Sequence, residues 1–166
     1  MWIKVEQSGI KWISGVSDGG DFVMLIGEYQ HSIDAKGRII VPSKLRESLG
    51  NEFIITKGID NCLFVYPIER WNCIIEKLKA LPVADSDVRR FARFFTSGAV
   101  LCSADSQGRI LIPLNLRQYA KIEKQIVSIG VVDRAEIWAK EEWESYNGSE
   151  NFVDSSLAGK MADLGI

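Results

Sequence analysis

The chain has 166 residues, 46% of them hydrophobic and 25% charged, a composition that can bury one modest core or two small, tightly packed halves. Its 20 Lys and Arg against 22 Asp and Glu give a formal net charge of -2, so any contact with nucleic acid has to be concentrated on one face. No apolar run approaches the roughly 20 residues that span a bilayer, and the N-terminus lacks the charged start and apolar stretch of a leader. Cys62, Cys73 and Cys102 form neither a Cys-x-x-Cys pair nor an even-numbered framework; they read as reduced, mostly buried thiols of a cytoplasmic protein.

Residues 1–23 contain Gly9, Gly15, Gly19 and Gly20 without periodicity, which predicts a disordered upstream extension and a natural start at Met24. Strand character follows over 25–33, then the turn Asp34-Ala35-Lys36-Gly37 and the β-branched strand 39–41. A short helix is expected over 43–49 with Gly50 at its end, and strands over 53–57 and 63–66. From about Ile68 to Ala80 the apolar positions Trp71, Ile74, Ile75 and Leu78 fall on one helical face, and Pro82 stops the run. Asp85-Ser86-Asp87 then opens a second helix, since carboxylates favour the positive end of the helix dipole. Val88, Phe91 and Phe95 form its apolar stripe and Arg89, Arg90 and Arg93 its other side. Near the end, Asp154 can cap a short amphipathic helix carrying Leu157, Met161 and Leu164, a tail expected to dock on something.

The second half repeats the first. Residues 32–46 read SIDAKGRIIVPSKLR and residues 103–117 read SADSQGRILIPLNLR, with Ser, Asp, Gly, Arg, Ile, Pro, Leu and Arg recurring at a constant offset of 71. Gly27 answers Gly98, and Trp71 answers Trp143 at an offset of 72, which implies a one-residue insertion in the second copy. The expected division is an extension at 1–23, repeated domains at 28–70 and 99–142, connecting helices over 71–98 and a helical tail at 143–166.

Within each Asp-x-x-Gly-Arg, Gly37 and Gly108 can adopt the positive φ of a tight turn, and Asp34 and Asp105 can accept from its backbone amides. Arg38 and Arg109 follow at the start of a strand, where each guanidinium can pair with the turn Asp or point into solvent. A local ion pair is the commoner outcome for such a spacing. Duplication shifts the odds, because two equivalent Arg converge on one surface if the copies pair about a pseudo-twofold axis, and that surface suits phosphates or base edges. Lys36 and Lys44 of the first copy become Gln107 and Asn115 in the second, so the first copy is expected to be the stronger DNA contact. Arg46 and Arg117 are kept, and Arg46 is expected merely to solvate an exposed helix face.

The duplicated DAKGRIIVP and DSQGRILIP, the intervening DVRRFARFFTSGA and the late EIWAKEEW resemble the MraZ family, bacterial transcriptional regulators with two SpoVT-AbrB-type domains. The resemblance runs from Met24 to the C-terminus. It implies an α+β fold, a duplicated AbrB-type swapped-hairpin β-barrel with peripheral helices. It also implies a homo-oligomeric ring, associated with the nucleoid, that binds repeated short elements of double-stranded promoter DNA and represses the division and cell-wall gene cluster, its own gene included. Carried over by position, the DNA-facing residues are Arg38 and Arg109, with Lys36 and Lys44 as first-copy neighbours; Gln107 puts an equal role for the second copy in doubt.

Other chemistries find little support. His31 is the only histidine, which leaves no metal-ligand spacing and no Ser-His-Asp or Cys-His nucleophile, and it reads as a strand residue. Asp34 and Asp105 sit beside turn glycines, a poor place for catalytic carboxylates. No phosphate-cradling Gly-rich loop is present and no cofactor is implied. Arg89, Arg90 and Arg93 are expected in salt bridges between helices or subunits. The alternative to a DNA reader is an antitoxin-like or scaffold module that mainly assembles and holds a partner protein.

Overall fold

The computed structural model describes residues 24–148 and 155–165, so the extension at 1–23 and the Asp154 cap lie outside the described residues. Each copy begins with a strand, β1 (Glu28–Ser32) or β5 (Val100–Ser103), turns, and continues as a three-residue strand, β2 (Arg38–Ile40) or β6 (Arg109–Leu111). Pro42 and Pro113 then start short helices, α1 (Ser43–Leu49) and α4 (Leu114–Tyr119), because the ring fixes an extended lead-in at φ -51° and -57° and costs no helical hydrogen bond at that position. The hairpins β3 (Glu52–Lys57) with β4 (Leu63–Pro67) and β7 (Gln125–Val131) with β8 (Arg134–Ala139) follow, and then α2 (Ile68–Lys79) and α5 (Lys140–Asn147). A third helix closes each copy, α3 (Ser86–Ser97) and α6 (Ser155–Asp163). In α2 the half-buried positions include Trp71, Ile74, Ile75 and Leu78, the stripe that the spacing predicts.

The strands of the two copies interleave. One antiparallel six-stranded sheet runs β1-β7-β8-β4-β3-β5, and a separate ladder pairs β2 with β6. The order reads the same from either end once copies are exchanged, since β1 of the first copy lies on β7 of the second and β5 of the second on β3 of the first. Ile39 faces Ile110 and Phe64 faces Glu136, so equivalent residues meet in both ladders. A pseudo-twofold axis therefore passes through both. Structural pairing also refines the repeat: Phe53 and Ile126 face Cys102 and His31, an offset of 73, and the offset returns to 72 at Val65 and Ile137. The second copy thus carries two extra residues before β7 and one fewer in the following hairpin.

The sheet separates two apolar layers. Phe53, Ile55, Leu63, Val65, Ile126 and Ile137 point to the side where Ile39 and Ile110 of the ladder and Leu45 and Leu116 of α1 and α4 complete the main core. Each fully buried side chain of that kind contributes roughly 1.5–3 kcal/mol. The opposite face carries Phe64, Tyr66 and Trp138, covered by Trp71 of α2, Phe95 of α3 and Trp143 of α5. The architecture is α+β with six helices among the described residues, and the large sheet is open where a closed barrel was expected. The physical reason lies in β2 and β6, which have only three residues each and pair with one another instead of bridging the edge strands β1 and β5.

Candidate nucleic-acid interface

Each Asp-x-x-Gly-Arg folds into the same closed turn. The Asp34 amide donates to the Arg38 carbonyl at 2.8 Å and the Gly37 amide to the Asp34 carbonyl at 2.9 Å. Asp34 Oδ1 accepts from the amides of Lys36 (2.8 Å) and Arg38 (2.9 Å), while Oδ2 takes Arg38 Nε at 2.8 Å and Nη2 at 2.7 Å. The second copy reproduces this: Asp105 Oδ1 accepts from the Gln107 and Arg109 amides, both at 2.9 Å, and Oδ2 from Arg109 Nε at 2.8 Å. The Arg38 amide and then its guanidinium hold the Asp34 carboxyl down at about 2, and the Arg109 amide acts first in lowering that of Asp105. Both carboxylates are ionised at neutral pH, and each is engaged by its own arginine, which leaves no shared catalytic pair.

Of the two outcomes open from sequence, the guanidiniums take the ion pair. They are nevertheless only partly covered, each side chain keeping 31% of its surface exposed. The β2–β6 register then decides where they point. Ile39 and Ile110 are opposed and buried, so the alternate pairs, Arg38 with Leu111 and Ile40 with Arg109, project from the outer face. Both Arg consequently stand on one surface as a diagonal pair, with backbones about 7–8 Å apart for that relation. Ile40 and Leu111 occupy the other diagonal and are 58% and 57% exposed.

The two lysines sit beside this face. Lys36 is exposed within the first turn and Lys44 is exposed in the first turn of α1. Gln107 and Asn115 hold the equivalent exposed places in the second copy. Because each turn lies beside the start of the other copy's helix, Lys36 shares one end of the ladder with Asn115 and Lys44 shares the other with Gln107.

Arg46 departs from the expectation of a solvated helix residue. Both Arg46 and Arg117 are half-buried, and each reaches over the turn of the other copy. A Cβ on Gly37, at φ 80°, would come within 2.8 Å of Arg117 Cζ, and one on Gly108, at φ 75°, would run into the Arg46 guanidinium. Arg117 Nε also donates to the Ile112 carbonyl at 3.0 Å. Each turn is thus shaped by its own Asp and roofed by the opposite copy's Arg. The signal was present in the sequence as an Arg recurring at the repeat offset together with an obligatory Gly, but only the cross-copy pairing joins them.

The remaining candidates have local partners. His31 Nε2 shares a 2.8 Å hydrogen bond with Ser128 Oγ, joining β1 to β7, and burial lowers its pKa. Burial pushes the Cys62 and Cys102 thiols up to about 12 and about 11, whereas Cys73 is exposed. Arg89 donates to the Val83 and Ala84 carbonyls at 2.9 and 2.7 Å, tying down the loop before its own helix instead of bridging to another. Asp85 caps that helix through the Asp87 amide at 2.8 Å. On the axis, buried Glu136 accepts from Arg134 Nη2 (2.7 Å) and Trp138 Nε1 (3.0 Å), and the Arg134 guanidinium lies 4.5 Å from the Phe64 ring centroid. This network is structural, and its sequence signal is the alternation Arg-x-Glu-x-Trp along β8.

Comparison with known proteins agrees with the internal repeat. The profile of the family described as "MraZ protein, putative antitoxin-like" matches twice, over residues 24–94 and 95–160. A protein of Acetivibrio thermocellus named transcriptional regulator MraZ is 59% identical over 143 residues, which cover 86% of this chain and all of that protein. Proteins with the same name from Pelotomaculum thermopropionicum and Clostridium beijerinckii are 55% and 59% identical, over 86% of this chain and 99% and 100% of theirs. With both profile copies falling on the two Asp-x-x-Gly-Arg halves, and relatives of this identity along most of its length, the chain belongs to the MraZ family.

Proposed function

We propose that this chain is a DNA-binding transcriptional regulator without enzymatic activity, and that the outer face of the β2–β6 ladder is its reading surface. The observation that carries the proposal is the placement of Arg38 and Arg109 on that one face, each aimed by a carboxylate. An Arg held by Asp through Nε, with Nη2 added at Arg38, keeps the far edge of its fork for a guanine edge or a phosphate. Its neighbouring carboxylate offsets the charge, which weakens the pull on phosphates more than it weakens directional hydrogen bonding. The pair therefore suits base edges, and Lys36 and Lys44 supply the phosphate attraction. The major groove admits a two-stranded ribbon of this kind.

The finer reading follows the family resemblance and the relatives' name. The target is promoter DNA with repeated short elements, with repression of the division and cell-wall cluster that includes the chain's own gene. Residues 28–70 and 99–142 act as the two domains, joined by 71–98 and followed by the tail 143–166. Exchange of β1 and β5 between copies supports a relation to swapped-hairpin AbrB-type domains. A net charge of -2 per chain favours a homo-oligomer, a ring in the nucleoid of the cytoplasm, in which several weak subunits engage several repeats together.

The test is a mobility-shift titration against the DNA upstream of the protein's gene at several salt concentrations. Wild type should bind that duplex in preference to random DNA, and Arg38→Ala with Arg109→Ala should abolish the preference while the fold persists by circular dichroism. A folded, oligomeric double variant with undiminished specific binding refutes the assignment of the reading surface, whereas a folded, oligomeric wild type with no preference over random duplex leaves the scaffold alternative standing.

A further inference from the structure

The ladder's outer face carries two residues that the proposed Arg contacts leave unexplained. Ile40 and Leu111 are both aliphatic, occupy equivalent positions about the pseudo-twofold axis, and are 58% and 57% exposed. Their neighbours in the same strands, Ile39 and Ile110, are 2% exposed and fill the core. A strand with one buried and one solvated face ordinarily alternates apolar with polar side chains. Here the alternation fails at the two symmetric outer positions, each lying directly across from a guanidinium.

We propose that Ile40 and Leu111 read the 5-methyl groups of thymines in the bound element. The inference rests on the reading of the ladder as the DNA-facing surface. The occupant follows from the chemistry of the patch. Two half-exposed guanidiniums on one diagonal fit the negative potential and acceptor edges of a major groove, and an apolar partner protein would leave them desolvated beside it. In that groove the only apolar feature of a base pair is the thymine methyl, for which an aliphatic side chain is the natural contact. Four side chains in a two-by-two array, Arg38 and Leu111 on one rung and Ile40 and Arg109 on the next, then give a mixed code. Each rung offers one fork of donors and one aliphatic surface, related by the axis to the other rung.

The experiment replaces thymine by deoxyuridine, which removes one methyl and no hydrogen bond. The full chain is titrated by fluorescence anisotropy with the duplex upstream of its gene, each thymine of the protected element replaced in turn. At one or more positions the substitution should weaken wild-type binding about fourfold, the factor for one buried methyl. That penalty should vanish in Ile40→Ser or Leu111→Ser, whose exposed positions leave the fold intact by circular dichroism. Binding that is specific yet indifferent to every deoxyuridine overturns this inference and spares the Arg reading. A penalty that persists in both serine variants also overturns it, by assigning the methyl to another residue. Serine variants that keep DNA binding but change oligomeric state in sedimentation assign the aliphatic pair to subunit contact and overturn it too. No specific binding by wild type removes both readings together.

Discussion

In the first copy, α3 lays Phe95 on the outer sheet face, where its ring stacks on Trp71 at 5.1 Å and meets Tyr66 at 6.2 Å, leaving it 4% exposed. In the second, α6 and the residue after it carry Leu157, Met161 and Leu164 at the spacing that Val88, Ala92 and Phe95 have in α3. Yet Met161 and Leu164 are 40% and 76% exposed. Tyr146 of α5 takes part of the place of Phe95, its ring lying 5.2 Å from Trp138 and 6.2 Å from Trp143. The two copies therefore share an interleaved sheet and diverge on its periphery. Duplication fixes the scaffold that brings the two Arg together, and each copy's helices and turns are free to serve different ends.

The strongest way to expose that divergence is a matched pair of truncations. Phe95→Ala should cost about 3–4 kcal/mol of stability, the usual range for a buried aromatic, while Leu164→Ala should change it by less than about 0.5 kcal/mol. Urea unfolding of both variants measures the contrast. A comparable loss for Leu164→Ala, dependent on protein concentration, would show that α6 is buried in the assembled protein.

Where the copies are alike, the cross-copy roof should make both turns fragile. Gly37→Ala and Gly108→Ala each force a residue with a Cβ to φ 80° or 75°, a cost of about 1–2 kcal/mol before the guanidinium above is displaced. Gly108→Ala should be the worse, because its Cβ meets Arg46 more directly than that of Gly37 meets Arg117. Combining Gly108→Ala with Arg46→Ala should recover part of the loss beyond the sum of the single changes, a coupling that a double-mutant cycle reads. Strict additivity would mean that the roof contributes nothing.

The β-hairpins offer a gain in place of a loss. Asn61 at the tip of the first has φ 57°, and Val132 at the tip of the second has φ 62°. Asn tolerates that region and a β-branched residue does not. Val132 is 54% exposed and its backbone bonds to Leu25 in both directions at 2.9 Å, so the edge contact holds it there. Val132→Asn should raise stability by about 1 kcal/mol in thermal or urea unfolding, and a loss would show that the valine side chain has a contact worth more than its strain.

Much of this was legible before any coordinates. The offset of 71 located both turns, the 3.6-residue stripe located α2 to within a residue, and the duplication itself argued for a twofold surface carrying Arg38 and Arg109. What could not be read was anything set by the partner copy. The outward placement of Ile40 follows from a register with β6, 69 residues away at the facing Arg109, and local alternation does not reveal it because both neighbours are apolar. The role of Arg46 likewise depends on the turn at Gly108, which lies in the opposite copy. The expected barrel closure failed for the same reason, since it required knowing what the three-residue strands pair with.

The lysine asymmetry is the smallest expected effect and the most specific to function. Lys36 and Lys44 are exposed, so replacing either by Ala should leave unfolding unchanged while weakening DNA binding a few-fold at moderate salt. Each lysine that neutralises a phosphate releases about one counterion, which contributes roughly 0.9 to the slope of log affinity against log salt. Lys36→Ala and Lys44→Ala should each flatten the slope by about that amount per engaged subunit, with sequence preference retained. The reciprocal changes, Gln107→Lys and Asn115→Lys, should steepen it if the second copy's turn and helix start also lie against the backbone. If they leave the slope untouched while the first-copy variants flatten it, only the first copy's turn and helix start meet phosphate, and the pseudo-twofold protein sits asymmetrically on its DNA.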